Sequence, residues 1–268
     1  RSPVDGSRQS ERHMTLGRAL ELSSNVIAVQ LLHDLGFAPL EQLTRRWGLP
    51  VRTGDGLCVA LGCSETTLLD LTTVYASFAN GGLRTEPVMI LKVTNSQGDL
   101  LYEHLPNSPV SVISEWTAFQ MHNLLSGVMR RGTGRRAAID RPAGGKTGTN
   151  EGPRDAWFIG FTPTLVAGVW VGNDDNRVMP HESGGRSAAR MWRQFMTEGL
   201  SAYAGETFPE PPETYAGVQL CNTTGEPPQL GCPDATLHYF RHEELANLAL
   251  FDLPATASGW ERTDPPQA

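Results

Sequence analysis

The segment Gly144-Gly145-Lys146-Thr147-Gly148-Thr149 sets an ammonium, two hydroxyls and a backbone position without a side chain on four consecutive residues, 146–149. Such groups can hold an anion or polarise a carbonyl. In an extended chain successive side chains face opposite ways, so Thr147 and Thr149 share one side and Lys146 takes the other. Gly148 between them leaves the backbone open to a ligand. The residues downstream support a strand. A polar turn, 150–155, leads into Ala156-Trp157-Phe158-Ile159-Gly160-Phe161, and Thr162-Pro163-Thr164 separates that run from a second one, Leu165 to Gly172. Short loops between aromatic and β-branched runs predict consecutive antiparallel hairpins.

A lysine and threonine after glycine also suggest a nucleotide P-loop, G-x-x-x-x-G-K-[ST], but that pattern needs a glycine where Asp140 stands. It also needs a helix N-terminus after the lysine to receive phosphate, and here Gly148, a loop and more strand follow. Nucleotide binding is therefore rejected. A lysine in a glycine-rich turn fits the tripeptide equally well, so other residues must decide. They lie upstream. Thr15 to Leu22 carries apolar residues at Leu16, Ala19 and Leu20, and Val26 to Leu35 repeats the spacing at Val26, Val29 and Leu32. Both stretches predict helices. Ser23, Ser24 and Asn25 stand between them, and short polar side chains of this kind compete with the helical backbone and favour caps and junctions. Read alone, the triplet is an ordinary N-cap.

Read together, the S-x-N of Ser23-Ser24-Asn25 and the K-T-G-T of Lys146 to Thr149 resemble the second and third motifs of the penicillin-binding protein and serine β-lactamase superfamily. The blocks Leu57 to Gly82 and Lys146 to Asp174 (K-T-G-T, R-D-A-W-F-I-G-F, G-V-W-V-G-N-D) are similar to class A, bifunctional penicillin-binding proteins. So is Gly184-Gly185-Arg186-Ser187-Ala188-Ala189 with Met191-Trp192. The resemblance runs from about Ser2 to Tyr203. One departure stands out. The superfamily nucleophile lies in S-x-x-K, yet Lys92 and Lys146 are the only lysines, and neither has a serine three residues before it.

The resemblance implies an α+β, β-lactamase/transpeptidase-like fold, an antiparallel sheet packed against helices, without the N-terminal strands and nucleophile helix that precede the S-x-N in the family. It implies a transpeptidase domain over 1–204, read as N-terminally truncated, and a Pro-rich extension over 205–268. The implied reaction is acyl transfer from a D-Ala-D-Ala peptide, with penicillin as a mimic. In that scheme Ser23 relays a proton, Asn25 holds the substrate amide, and Lys146 places positive charge behind the site. Thr147 and Thr149 bind the terminal carboxylate beside Gly148, and the Thr149 N–H is one oxyanion donor. The implied partners are peptidoglycan stem peptides, β-lactams and the N-terminal part of the same protein, on the outer face of a bacterial cytoplasmic membrane. A glycosyltransferase domain and a single membrane helix are expected upstream. Neither cofactor nor metal is implied. Without the acylating serine the chain by itself is expected to be inert, and the sheet edge and apolar faces left uncovered are expected to make it marginal or aggregation-prone. Within the superfamily a β-lactamase or D,D-carboxypeptidase is the enzymatic alternative, and a non-catalytic β-lactam-sensing or interaction module the other.

Composition agrees with a globular domain. With 268 residues, 39% of them hydrophobic and 19% charged, the chain can build one sizeable core and an appendage. A formal net charge of -7 argues against nucleic acid as a partner, and no apolar run approaches the roughly 18 residues of a membrane helix. Cys58 and Cys63 sit in an apolar stretch and are expected to be buried thiols, whereas Cys221 and Cys232 flank a loop suited to a disulfide. His33, His122 and His181 form no metal or triad pattern and are expected to be solvated or locally hydrogen-bonded. Glu65, Asp70 and Asp155 read as surface charge. Thr66 or Thr67 is expected to cap a helix ending at Gly81, Ser114 one over 115–131, and a final helix to run over 187–203. Val88 to Thr94 and Leu100 to His104 predict a hairpin.

Overall fold

The computed structural model describes residues 14–49, 51–150, 152–211 and 214–247. Three helices open this part: α1 (Leu16–Leu22), α2 (Asn25–Leu35) and α3 (Phe37–Trp47). A 3-10 segment, Thr53–Leu61, leads to α4 (Leu68–Ala79), whose N-terminus is capped by the Thr67 hydroxyl. Four short strands follow, β1 (Leu83–Arg84), β2 (Lys92–Thr94), β3 (Leu100–Glu103) and β4 (Val110–Ser111), pairing as β1 with β4 and β2 with β3. Then come α5 (Glu115–Arg130), capped by Ser114, and a 3-10 turn at Arg135–Ala137. The central sheet consists of β5 (Gly144–Thr149), β6 (Asp155–Phe161) and β7 (Val166–Gly172). A π turn at Gly184–Ala188 runs into α6 (Ala189–Gly199) and a 3-10 turn at Leu200–Ala202. The described part ends with β8 (Tyr215–Cys221), β9 (Ala235–Arg241) and α7 (His242–Asn247).

β5, β6 and β7 form an antiparallel sheet in that order, with Lys146 opposite Ile159 and Thr149 opposite Ala156. Alternation along β6 splits the core in two. Phe158 faces a cluster with Trp192, Met196 and Ala188, whereas Phe161 faces another with Val74, Phe78 and Leu125. The sheet is thus covered by α6 on one face and by α4 and α5 on the other, which explains why β6 is almost uniformly apolar rather than alternating. Trp192 is fully buried, and its indole N–H donates to the carbonyls of Ala167 (3.0 Å) and Gly160 (3.3 Å), so the polar handle of the largest core side chain is satisfied. The predicted hairpins at β5–β6–β7, the helices at α1 and α2, and the α4 and α5 caps are all present.

Several expectations are corrected. Cys58 and Cys63 are exposed and joined as a disulfide, their Cα atoms 5.7 Å apart, because the break in the 3-10 segment at Gly56 and the left-handed Gly62 fold the chain back on itself. Cys221 and Cys232 are bridged as the loop suggested. The hairpin of β2 and β3 is shorter than its apolar residues implied, with Val88 to Leu91 outside any strand and exposed. The final helix is a π turn followed by a helix that begins only at Ala189. Past Gly205 the prolines punctuate a regular hairpin. Pro227 and Pro228 sit in the β8–β9 loop, where no ladder N–H is needed. Tyr215 and Tyr239 of that hairpin pack on Phe119 of α5 with ring centroids 4.9 and 5.2 Å away.

His122 is the fourth correction. It is tucked into the molecule, its ring stacked on Phe208 at 3.7 Å between centroids, and its Nδ1 has no hydrogen-bond partner. Burial, with Arg130 nearby, pushes its pKa down to about 4. The unfolded chain, with His near 6.5, therefore binds more protons than the folded chain between pH 6.5 and 4. Stability is lost as pH falls through that window, by about 3 kcal/mol at most. His238, whose pKa is also lowered, chiefly by burial, adds to the loss in the same direction. Melting temperatures of wild type and His122→Phe followed from pH 7 to 4 should not run parallel, the wild type losing the more as pH falls. Parallel curves would remove His122 from this role.

Candidate active site

The junction between α1 and α2 is a sharp corner built by three consecutive residues. Ser23 closes α1 in the left-handed conformation (φ 57, ψ 49), unusual for a residue with a Cβ. Ser24, extended and buried, caps α2 by accepting from the Ile27 N–H, and Asn25 begins α2. The triplet is therefore the cap that its composition suggests, but the corner also turns the Ser23 hydroxyl outward. There it accepts a 2.8 Å hydrogen bond from Lys146 Nζ. Lys146 also donates to the Thr147 carbonyl at 3.0 Å, and burial pushes its pKa down to about 8. Groups separated by 123 residues in sequence thus meet at one point.

Around that point lies a cleft of about 500 Å³, walled in part by Ser23, Asn25, Thr133, Thr147, Thr149 and Gly185. The Thr149 hydroxyl accepts from the Gly184 N–H at 3.0 Å, which leaves its proton directed elsewhere, toward a ligand acceptor. Thr147 and Thr133 share a 2.7 Å hydroxyl hydrogen bond, so the pair retains one donor for a ligand. Gly184 must lack a side chain, because a Cβ there would collide with the Trp157 and Gly148 carbonyls. Every site residue expected from the sequence borders the cleft or, as with Lys146 and Gly148, lies on the strand that forms its wall.

Sequence reasoning missed part of the wall. Thr133 carries no mark of a role in the sequence, yet its N–H donates to the Glu21 carbonyl at 3.0 Å and its hydroxyl meets Thr147. Arg135, Arg136, Ser183 and Arg186 also line the cleft. Arg186 is held locally, donating to the His181 carbonyl at 2.6 Å, and along the sequence only the run of threonine and arginine after Gly132 hints at this wall. Glu21 was not singled out at all. Its side chain is 4% exposed, paired to Arg18 at 3.2 Å and to Arg131 through Nε at 3.1 Å. A Cβ on Gly132 would strike the Glu21 backbone, so α1 and the end of α5 are in close contact there. This clamp fixes the end of the helix from which Ser23 projects. Glu21→Ala takes from Arg131 its carboxylate and leaves Arg18 with Asp234 alone among the described residues, at 3.8 Å, and should destabilise the fold by about 1–3 kcal/mol, read as a lower midpoint in urea at unchanged slope. A shift below about 0.5 kcal/mol would make the clamp a surface interaction in energetic terms.

Comparison with known proteins agrees with this geometry. Residues 3–197 match the penicillin binding protein transpeptidase domain, and the chain belongs to that family. It is 35% identical over 254 residues to Penicillin-binding protein 1A of Aquifex aeolicus, covering 87% of this chain and 34% of that protein. It is 32% identical over 256 residues to Penicillin-binding protein 2D of Bacillus subtilis, covering 92% and 36%. Among solved structures, Penicillin-Binding Protein 1A from Haemophilus influenzae superposes with a TM-score of 0.76 at 26% identity, over 86% of this chain and 40% of that one. The chain spans about a third of the length of the curated relatives it matches. The α+β fold read from the motifs is the fold of this family.

Proposed function

We propose that this chain carries the acyl-transfer site of a peptidoglycan D,D-transpeptidase, the cleft between Ser23 and β5, and that the protein its gene encodes acts at the outer face of a bacterial cytoplasmic membrane. The observation that carries the reading is the Lys146 Nζ to Ser23 Oγ hydrogen bond, which joins the two motifs at hydrogen-bonding distance. In the reaction a serine outside these residues, its hydroxyl proton taken by a base also outside them, attacks the carbonyl of the penultimate D-Ala. The C–N bond to the terminal D-Ala breaks, an acyl ester forms, and the leaving amine takes a proton from Ser23. Lys146 replaces that proton through the same hydrogen bond; when the incoming amine attacks the ester it returns one to Ser23 and Lys146, and the C–O bond breaks as the nucleophilic serine recovers its proton from its base. A lysine held near pH 8 suits such exchange, since general acid–base groups work best when their pKa lies close to the working pH. Thr147 and Thr149 supply donors for the terminal carboxylate, Asn25 holds the substrate amide, and the Thr149 N–H is one oxyanion donor. Penicillin enters as a mimic of the peptide end.

Residues 1–204 are proposed as the acyl-transfer body and 205–268 as an extension that braces α1 and α5. Support for the bracing comes from Thr15 N–H donating to the Asn222 carbonyl and Gln120 Nε2 to that of Tyr239, both at 2.8 Å.

The reading is tested by Ser23→Ala in the protein as its gene encodes it. Removing a proton relay should slow peptide cross-linking and penicillin acylation by about 10²–10⁴-fold while leaving the melting transition nearly unmoved. Unchanged acylation would overturn Ser23 as the relay.

A further inference from the structure

Arginines gather beside the cleft. Arg136 lines both the cleft and an adjoining hollow of about 350 Å³, whose other walls are Arg190, Arg193, Gln194, Thr197 and Glu198. Arg190, Arg193, Gln194 and Thr197 recur at three- and four-residue intervals, so they form one stripe of α6. Ala189, Trp192 and Met196 form the buried stripe that holds the helix to the sheet. Arg135, Arg136, Arg190 and Arg193 are all exposed, and none of them takes part in an ion pair among the described residues. The one carboxylate in the hollow, Glu198, already accepts from Gln194 Nε2 at 3.1 Å.

This collection runs against the composition. Acidic residues outnumber basic ones, 29 to 22, so carboxylates to neutralise four neighbouring guanidiniums are plentiful in the chain, yet Glu198 alone lines the hollow among the described residues. Like charges left together raise the local potential and draw anions to the groove. The guanidinium fork also matches a carboxylate bidentately, with direction as well as charge.

We propose that this arginine-lined groove is a second anion subsite, continuing the acyl-transfer cleft along α6, which takes a carboxylate carried by the peptide substrate upstream of its D-Ala-D-Ala end. The inference rests on the function proposed above. In that reading Thr147 and Thr149 engage the terminal carboxylate, so a further carboxylate of an extended peptide needs a counter-charge of its own, which Arg136 and the arginines of α6 offer. Arg136, shared by both hollows, provides the continuity. From Arg190 to Thr197 the helix rises about 10 Å, the reach of about three extended residues. The groove therefore reads the body of a peptide and discriminates a free acid from its amide.

The test uses the protein as its gene encodes it and two peptides ending in D-Ala-D-Ala, identical except that upstream carboxylates are free in one and amidated in the other. Steady-state acyl transfer and fluorescence anisotropy of labelled peptide are read in parallel. Wild type should favour the free acid at least about tenfold, mainly through KM, and the preference should shrink as salt rises. In the Arg190→Gln/Arg193→Gln double variant it should fall below about twofold while kcat for the amidated peptide changes little. Equal treatment of both peptides by wild type, or an undiminished preference in the double variant, would overturn the subsite. So would stronger competition by a glycerol phosphate polymer than by the acidic peptide, which would assign the groove to a polymer. Arginine-dependent binding of the acidic peptide without any turnover would strike the proposed function and leave the groove standing.

Discussion

Lys146→Met is expected to make the protein more stable and nearly inactive. The ammonium sits where burial disfavours charge, so its pKa lies at about 8 in the folded chain against an ordinary value near 10.4. Between those values the unfolded chain binds more protons than the folded one, and stability rises with pH across the window. At pH 7 the charge is present and its burial costs about 2–3 kcal/mol. Methionine has similar length and no charge, and it removes that cost. The lost hydrogen bonds to Ser23 and to the Thr147 carbonyl return about 1 kcal/mol each. The net gain, up to about 1 kcal/mol, should raise the midpoint by as much as about 3 °C for a domain of this size. Acyl transfer loses the proton source behind Ser23 and should fall about 10³-fold. Function at this lysine is held against stability, as buried polar groups in active sites commonly are. Differential scanning calorimetry of the protein its gene encodes, with penicillin acylation rates on the same samples, checks both halves. A lower midpoint with full activity would contradict both.

The 268-residue chain by itself, mixed with fluorescent penicillin at pH 7, should show no covalent adduct by mass. Neither lysine follows an S-x-x-K pattern, so a standard acylating pair is missing from these residues. Ser23 does not substitute for it. Lys146 is mostly protonated below pH 8 and donates to the Ser23 oxygen, so it cannot also take the hydroxyl proton, and an unactivated serine is a poor nucleophile. The proposed oxyanion and carboxylate donors then have no covalent route to accelerate. An adduct mapped to Ser23 would show that this serine attacks as well as relays.

What the sequence made legible was local. The β5–β6–β7 hairpins follow from turn residues between apolar runs, and the corner at Ser23 to Asn25 follows from short polar side chains between two periodic segments. What joined these two local features into one site was resemblance, since no spacing along the chain states that residue 23 faces residue 146. Contacts set only by tertiary packing stayed hidden. The Thr133 and Thr147 hydroxyls meet across a turn whose course depends on Glu21 and Gly132. Cys58 and Cys63 read as buried thiols because apolar neighbours usually mean burial, and Gly56 and Gly62 instead fold that segment outward. His122 carries no local mark of the Phe208 ring that covers it, contributed from beyond the central sheet. The prolines near the C-terminus mark an extension without showing its hairpin, since proline between strands is compatible with paired strands on either side.

The central claim is that Ser23, Lys146, Thr147 and Thr149 surround one reacting centre. The most direct measurement is a crystal structure of the protein its gene encodes, acylated by penicillin. The ligand carboxylate should lie within hydrogen-bonding distance of the Thr147 and Thr149 hydroxyls, with the Ser23 oxygen beside the nitrogen released from the β-lactam ring. A covalent adduct whose carboxylate lies away from β5, or whose ring nitrogen faces a group other than Ser23, would contradict the account.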